Sequence, residues 1–150
     1  MDANYSIYSI PVYWFLALVP HAFAVQLMKG ANNKKWDNAN PRGADANAKY
    51  QKAVPNQIWC KFERAEAAHK NMLESAPLFI GAILAGNIAG LPKSTLNTAA
   101  GAYLGLRVAY IAIYINVANQ KLSMLRSATW AISTGVLFRL LIQAGNKLAF

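Results

Sequence analysis

The run Glu63-Arg64-Ala65-Glu66-Ala67-Ala68-His69-Lys70-Asn71-Met72-Leu73-Glu74-Ser75-Ala76-Pro77-Leu78-Phe79 decides the fold. Its first three turns are charged but rich in helix formers, with no glycine or proline. Past Glu74 the charge stops, and Ser75 to Leu91 carries none. The spacing predicts one helix over about 62–91, its start at a membrane surface and the rest inside. Pro77 bends it unless neighbours satisfy the freed carbonyl, and Gly90, Leu91 and Pro92 end it. Arg64, Ala67, Asn71 and Glu74 fall along one stripe, and Asn71 and Glu74, three apart, point the same way.

Three further apolar stretches flank this one. The first, about 7–28, has no charged residue and is long enough to cross a hydrocarbon core of roughly 30 Å as a helix. No basic region precedes it and it exceeds a usual signal core, so it does not read as a cleavable leader. Pro11 fits its first turn and Pro20 kinks it. The others run over about 94–117, with Arg107 as the one charge, and 125–146, with Arg139. Gly101 and Gly105, and Gly86 and Gly90, have GxxxG spacing, which permits close helix contact in lipid and is also ordinary glycine tolerance there. The expectation is an all-α integral membrane four-helix bundle, one domain over 1–150.

Composition agrees. The chain has 150 residues, 55% hydrophobic and 14% charged, with a formal net charge of +9. An average soluble domain carries roughly 25% charged residues. High hydrophobicity with low charge excludes intrinsic disorder. One cysteine, Cys60, excludes a disulfide framework and a multi-cysteine zinc site, and two histidines leave little for another metal centre. All six acids lie between Asp2 and Glu74, whereas Lys93, Arg107, Lys121, Arg126, Arg139 and Lys147 follow with no carboxylate side chain among them.

The segment 29–61 reads as a long basic loop, with asparagine, proline and glycine between its lysines and Arg42. With Arg64, Lys121 and Arg126 these bases lie on one side of the membrane, against Lys93 and Lys147 on the other. The bias places loops one and three in the cytoplasm. Topology accounts for the basic charge, so no nucleic-acid partner is expected.

Three groups of residues could carry chemistry. Glu74, where the helix enters lipid, is costly unless paired. It meets either an arginine of another span or a polar ligand between helices. Arg107, Tyr110 and Tyr114 share one helix face and make a polar wall suited to a carboxylate or thiol. Alternatively, Arg107 neutralises Glu74. Arg126-Ser127-x-x-Trp130 opens the last span, where a helix start is already electropositive, and there it serves either as a positive-inside flank or as an anion site for a thiolate. His21 and His69 read as packing hydrogen bonders, and Cys60 as inert.

These residues resemble the MAPEG family, membrane-associated proteins in eicosanoid and glutathione metabolism, which include microsomal glutathione transferases and leukotriene C synthase. Similarity is densest over Phe62 to Phe79, and Asp37-Asn38…Pro41-Arg42 and Arg126-Ser127…Trp130 resemble the bacterial and fungal branch. The resemblance implies a homotrimer with glutathione sites between neighbouring subunits, a lipophilic substrate drawn from membrane lipid, and residence in the endoplasmic reticulum or another internal membrane. It implies glutathione-holding roles for Arg64, Asn71, Glu74, Tyr110 and Tyr114, beside Arg107. Arg126 matches the thiolate-stabilising arginine, with Lys121 as competitor. The sequence departs from the leukotriene and transferase branches at Ala67, where they have an arginine, and at Ser75, where they have a tyrosine. The implied activity is a glutathione-dependent transferase or isomerase. The departures motivate a glutathione-independent isomerase or cyclase on the same scaffold, and a non-enzymatic lipid-binding trimer is the third reading.

Overall fold

The computed structural model describes residues 3–41 and 43–149, so Arg42 of the loop pattern lies outside the described residues. The described residues are helical, without strands: α1 (Ser9–Ala31, led by a 3-10 turn Ser6–Tyr8), α2 (Ala44–Ala53), α3 (Asn56–Ile88), α4 (Lys93–Asn116) and α5 (Met124–Ala149). The four long helices form the expected bundle, with α1 against α3 and α4 against α5 as its most extensive contacts. Two helical segments, Ser6–Ala31 and Lys93–Asn116, are apolar and long enough by composition to cross a membrane.

Two boundaries differ from the sequence reading. α3 starts at Asn56, directly after Pro55, rather than near Phe62. The expected loop 29–61 also contains α2. That helix forms because alanines dominate it, Asp45 and Lys52 match the dipole ends, and Ala46 and Tyr50, four apart, bury one face. The Tyr50 ring stacks on Trp36 at 5.2 Å and 4°, and its hydroxyl accepts the Asp37 amide at 2.6 Å. Both rings meet Phe62 of α3 edge-on, so this segment is packed onto the bundle rather than solvated throughout.

The end of α3 is a Schellman turn. Gly90 takes φ +63, the Leu91 amide donates to the Gly86 carbonyl at 3.0 Å, and the Gly90 amide to Asn87 at 3.0 Å. A side chain at Gly90 meets the left-handed penalty, so Gly90→Ala is expected to cost about 1 kcal/mol in thermal or chaotrope unfolding. The glycine pairs part company. A Cβ on Gly86 would lie 2.7 Å from Leu96 Cδ2, a genuine close approach, whereas Gly101 and Gly105 are exposed with nothing within 4 Å.

Pro20 and Pro77 sit inside α1 and α3 without ending them. Each lacks the amide that its helix would donate four residues back, to Leu16 and Leu73. The adjacent carbonyls are taken up across the helix pair. His69 of α3 contacts the Ala17 carbonyl through Nδ1 at 2.7 Å, and Tyr13 of α1 donates to the Met72 carbonyl. A carbonyl only accepts, so His69 Nδ1 carries the proton. His69 thus holds the packing role read for it. His21 Nδ1 lies 2.7 Å from Glu66 Oε1, further along the same helix pair.

Candidate functional site

Three helices converge on a crevice of about 310 Å³ lined by Asn71 of α3, Tyr110 of α4, and Arg126, Ser127 and Trp130 of α5. Behind it lies Arg107, whose side chain is buried at 1% exposure. Its Nε donates to the Tyr103 hydroxyl at 3.0 Å, and Nη1 to Asn71 Oδ1 at 3.2 Å. Its guanidinium carbon sits 5.1 Å from the Tyr103 ring centroid and 5.2 Å from that of Tyr110. Two aromatic faces and two oxygens hold the cation, and no carboxylate pairs with it among the described residues.

The alternative in which Arg107 neutralises Glu74 is not formed among the described residues. Glu74 is exposed on the outer side of α3, and Asn71, one turn earlier, takes the inward position. Three residues advance a helix by about 300°, which leaves the two side chains some 60° apart. That rotation separates an inward amide from an outward carboxylate. Glu74 still lies within electrostatic range of Tyr110, as do Arg107 and Arg126.

At the mouth, Arg126 stacks its guanidinium 4.2 Å from the Tyr114 ring centroid, and Tyr114 meets Tyr110 edge-on at 5.4 Å. The α4 face Arg107–Tyr110–Tyr114 therefore runs from the buried cation to the rim. Arg64 is placed elsewhere: its Nε donates to the Ile115 carbonyl at 3.1 Å, capping the electronegative end of α4. Lys121 is exposed in the turn after α4 and does not line the crevice. Ser75 returns its hydroxyl to the Asn71 carbonyl at 2.9 Å, within its own helix. Cys60 is half-buried near Asn56, away from this crevice.

The predicted stripe omits Tyr103. Its position four residues before Arg107 on a helix is the signal that places it beside the guanidinium. Among the described residues no group of three or more His, Cys, Asp and Glu could hold a metal ion. The donor set is instead two guanidiniums, an amide and two phenols, chemistry that accepts an anion.

The helical bundle and its two apolar spans define an all-α protein of membrane type, with a cationic crevice between its helices. The model of the MAPEG family matches residues 10–146, nearly the whole chain, and the chain belongs to that family. Members of the family are generally trimeric membrane proteins with glutathione-related transferase or isomerase-type activity, and some are non-enzymatic. No curated protein and no solved structure matches the chain.

Proposed function

We propose that this chain is a membrane-embedded, glutathione-dependent transferase or isomerase acting on a lipophilic electrophile. The observation that carries the reading is Arg107: a buried cation, without a carboxylate partner among the described residues, aligned through Asn71 and Tyr110 with a second guanidinium at the crevice mouth. In a low-dielectric site such an arrangement favours an anion of matching shape. Glutathione, with two carboxylates and a thiol, has the chemistry this donor set accepts. Asn71 and Arg107 bind and orient, Tyr110 and Tyr114 line the wall, and Glu74 is available for the ligand's ammonium group. Arg64 acts through the end of α4, as a positioning residue.

Glutathione supplies the nucleophilic sulfur. A free thiol has a pKa of about 8.5, and only its thiolate attacks. Arg126 stabilises the thiolate, the thiol proton leaving to solvent, and holds it where a substrate can approach from the lipid. The chain forms one domain over 1–150, with α1, α3, α4 and α5 as four spans and the segments 29–61 and 117–124 in the cytoplasm. It assembles as a homotrimer in the endoplasmic reticulum or another internal membrane. The exposed Glu74, set where α3 turns apolar, supports a neighbouring subunit on that face.

The test is ultraviolet difference absorbance of the detergent-solubilised protein on adding glutathione. The wild type is expected to give a thiolate band, and Arg126→Ala to lose it, with turnover on a lipophilic electrophile falling about 100-fold. Unchanged turnover in that variant would remove Arg126 from its role. No band and no heat of binding in the wild type would end the glutathione reading. The Ser75 hydroxyl, turned back onto its own helix, with alanine at position 67, favours a second reading, a glutathione-independent isomerase or cyclase. Full turnover without added thiol would establish it. Lipid binding without turnover would leave a non-enzymatic lipid-binding trimer.

A further inference from the structure

A second cleft, of about 390 Å³, opens between α4 and α5 at the end of the bundle where α4 starts and α5 finishes. Its walls grade from polar to apolar along both helices. On α4, Thr95, Thr98 and Ala102 share one face, with Ser94 at the top. On α5, Gln143, Arg139 and Val136 line it, and exposed Ile132 continues the same face toward the bundle's middle. Leu140 packs at the level of Gly86 on α3, twelve residues past Glu74 and so about 18 Å along the helix from that carboxylate.

Arg139 is exposed and has no hydrogen bond, ion pair or ring contact among the described residues. It lies within a helix of the bundle, level with Thr98 and hence roughly 8 Å below the start of α4. A guanidinium at that depth is costly in lipid unless it reaches upward or meets an anion. The hydroxyls of Ser94, Thr95 and Thr98 and the Gln143 amide line the same cleft as Arg139. A charged, hydroxyl-lined upper end above an apolar lower end is the profile of an anionic amphiphile in a leaflet.

We infer that this cleft binds the phosphate of an anionic phospholipid, with Arg139 as its principal partner and the first acyl methylenes lying along Ala102, Val136 and Ile132. The site is separate from the Arg126 crevice and does not depend on glutathione.

The experiment uses the intact protein in nanodiscs of phosphatidylcholine, with and without phosphatidylglycerol. The readouts are the thermal unfolding midpoint and the number of lipids retained in native mass spectrometry. Phosphatidylglycerol is expected to raise the midpoint and to be retained preferentially, and Arg139→Gln to reduce that preference about tenfold. Arg139→Lys should keep part of it, and Thr98→Val should weaken it if the glutamine variant does not fold. An unchanged preference in Arg139→Gln would overturn the assignment. Equal protection by inorganic phosphate, lost in the same variant, would replace the lipid with a soluble anion. Dissociation of the oligomer by Arg139→Gln with lipid retention intact would make the cleft a contact between copies.

Discussion

Arg107→Met is expected to reduce glutathione affinity about 30- to 5000-fold while leaving the bundle as stable as before, to within about 1 kcal/mol. The two halves of that expectation have separate causes. A buried guanidinium with no carboxylate beside it among the described residues bears its desolvation cost, offset there by Asn71, Tyr103 and two ring faces. Methionine removes that cost and fills similar space. Against this, Asn71 Oδ1 and the Tyr103 hydroxyl each lose a hydrogen-bond partner, about 1–3 kcal/mol for a buried group left unmade. The terms oppose and nearly cancel. Binding has no such offset, because removing one partner of a buried charge pair costs about 2–5 kcal/mol. Arg107→Lys keeps the charge but not the fork that serves two oxygens at once, so it should fall between. Calorimetry with glutathione and thermal unfolding of the same preparations check both halves. Wild-type affinity in the methionine variant would reduce Arg107 to a scaffold role.

Phe79→Ala is the largest expected loss of stability, about 3–5 kcal/mol. Phe79 is fully buried where α1, α3 and α4 meet. Its ring stacks on Tyr103 at 4.6 Å and 10°, and lies 4.9 Å from Tyr13. Truncation empties the centre of that aromatic triplet. Tyr103 also fixes Arg107, so the variant should lose ligand affinity along with stability. Phe79→Leu, which retains most of the volume, should recover much of both. Unfolding midpoints in matched detergent, read beside glutathione binding, separate cavity from site.

What the chain made legible was local. Gly90-Leu91-Pro92 marks the end of α3 because the turn is built from the left-handed freedom of one residue. The face Arg107–Tyr110–Tyr114 follows from helical spacing, and the cation does stand behind the phenols. What depended on helix rotation was not legible: Asn71 and Glu74 share a stripe, yet only one faces Arg107. The helix α2 escaped because its polar sequence resembles a loop until Tyr50 finds Trp36, fourteen residues earlier. The pair His21–Glu66 joins positions 45 residues apart and leaves no periodic trace. Arg64 shows the remaining gap, since its motif position names a ligand group whereas its hydrogen bond caps α4.

The crossed bonds of α1 and α3 make neither helix a self-sufficient part. Hydropathy presents α1 as an autonomous span, but beside Pro20 its Ala17 carbonyl is bonded by His69 of α3, and the Met72 carbonyl of α3 by Tyr13 of α1. In hydrocarbon each helix alone carries a carbonyl region that its own backbone serves poorly. The unit of inheritance, and of transplantation, is therefore the pair. A chimaera that exchanges one of the two helices loses both cross-helix bonds, whereas one that exchanges both keeps them.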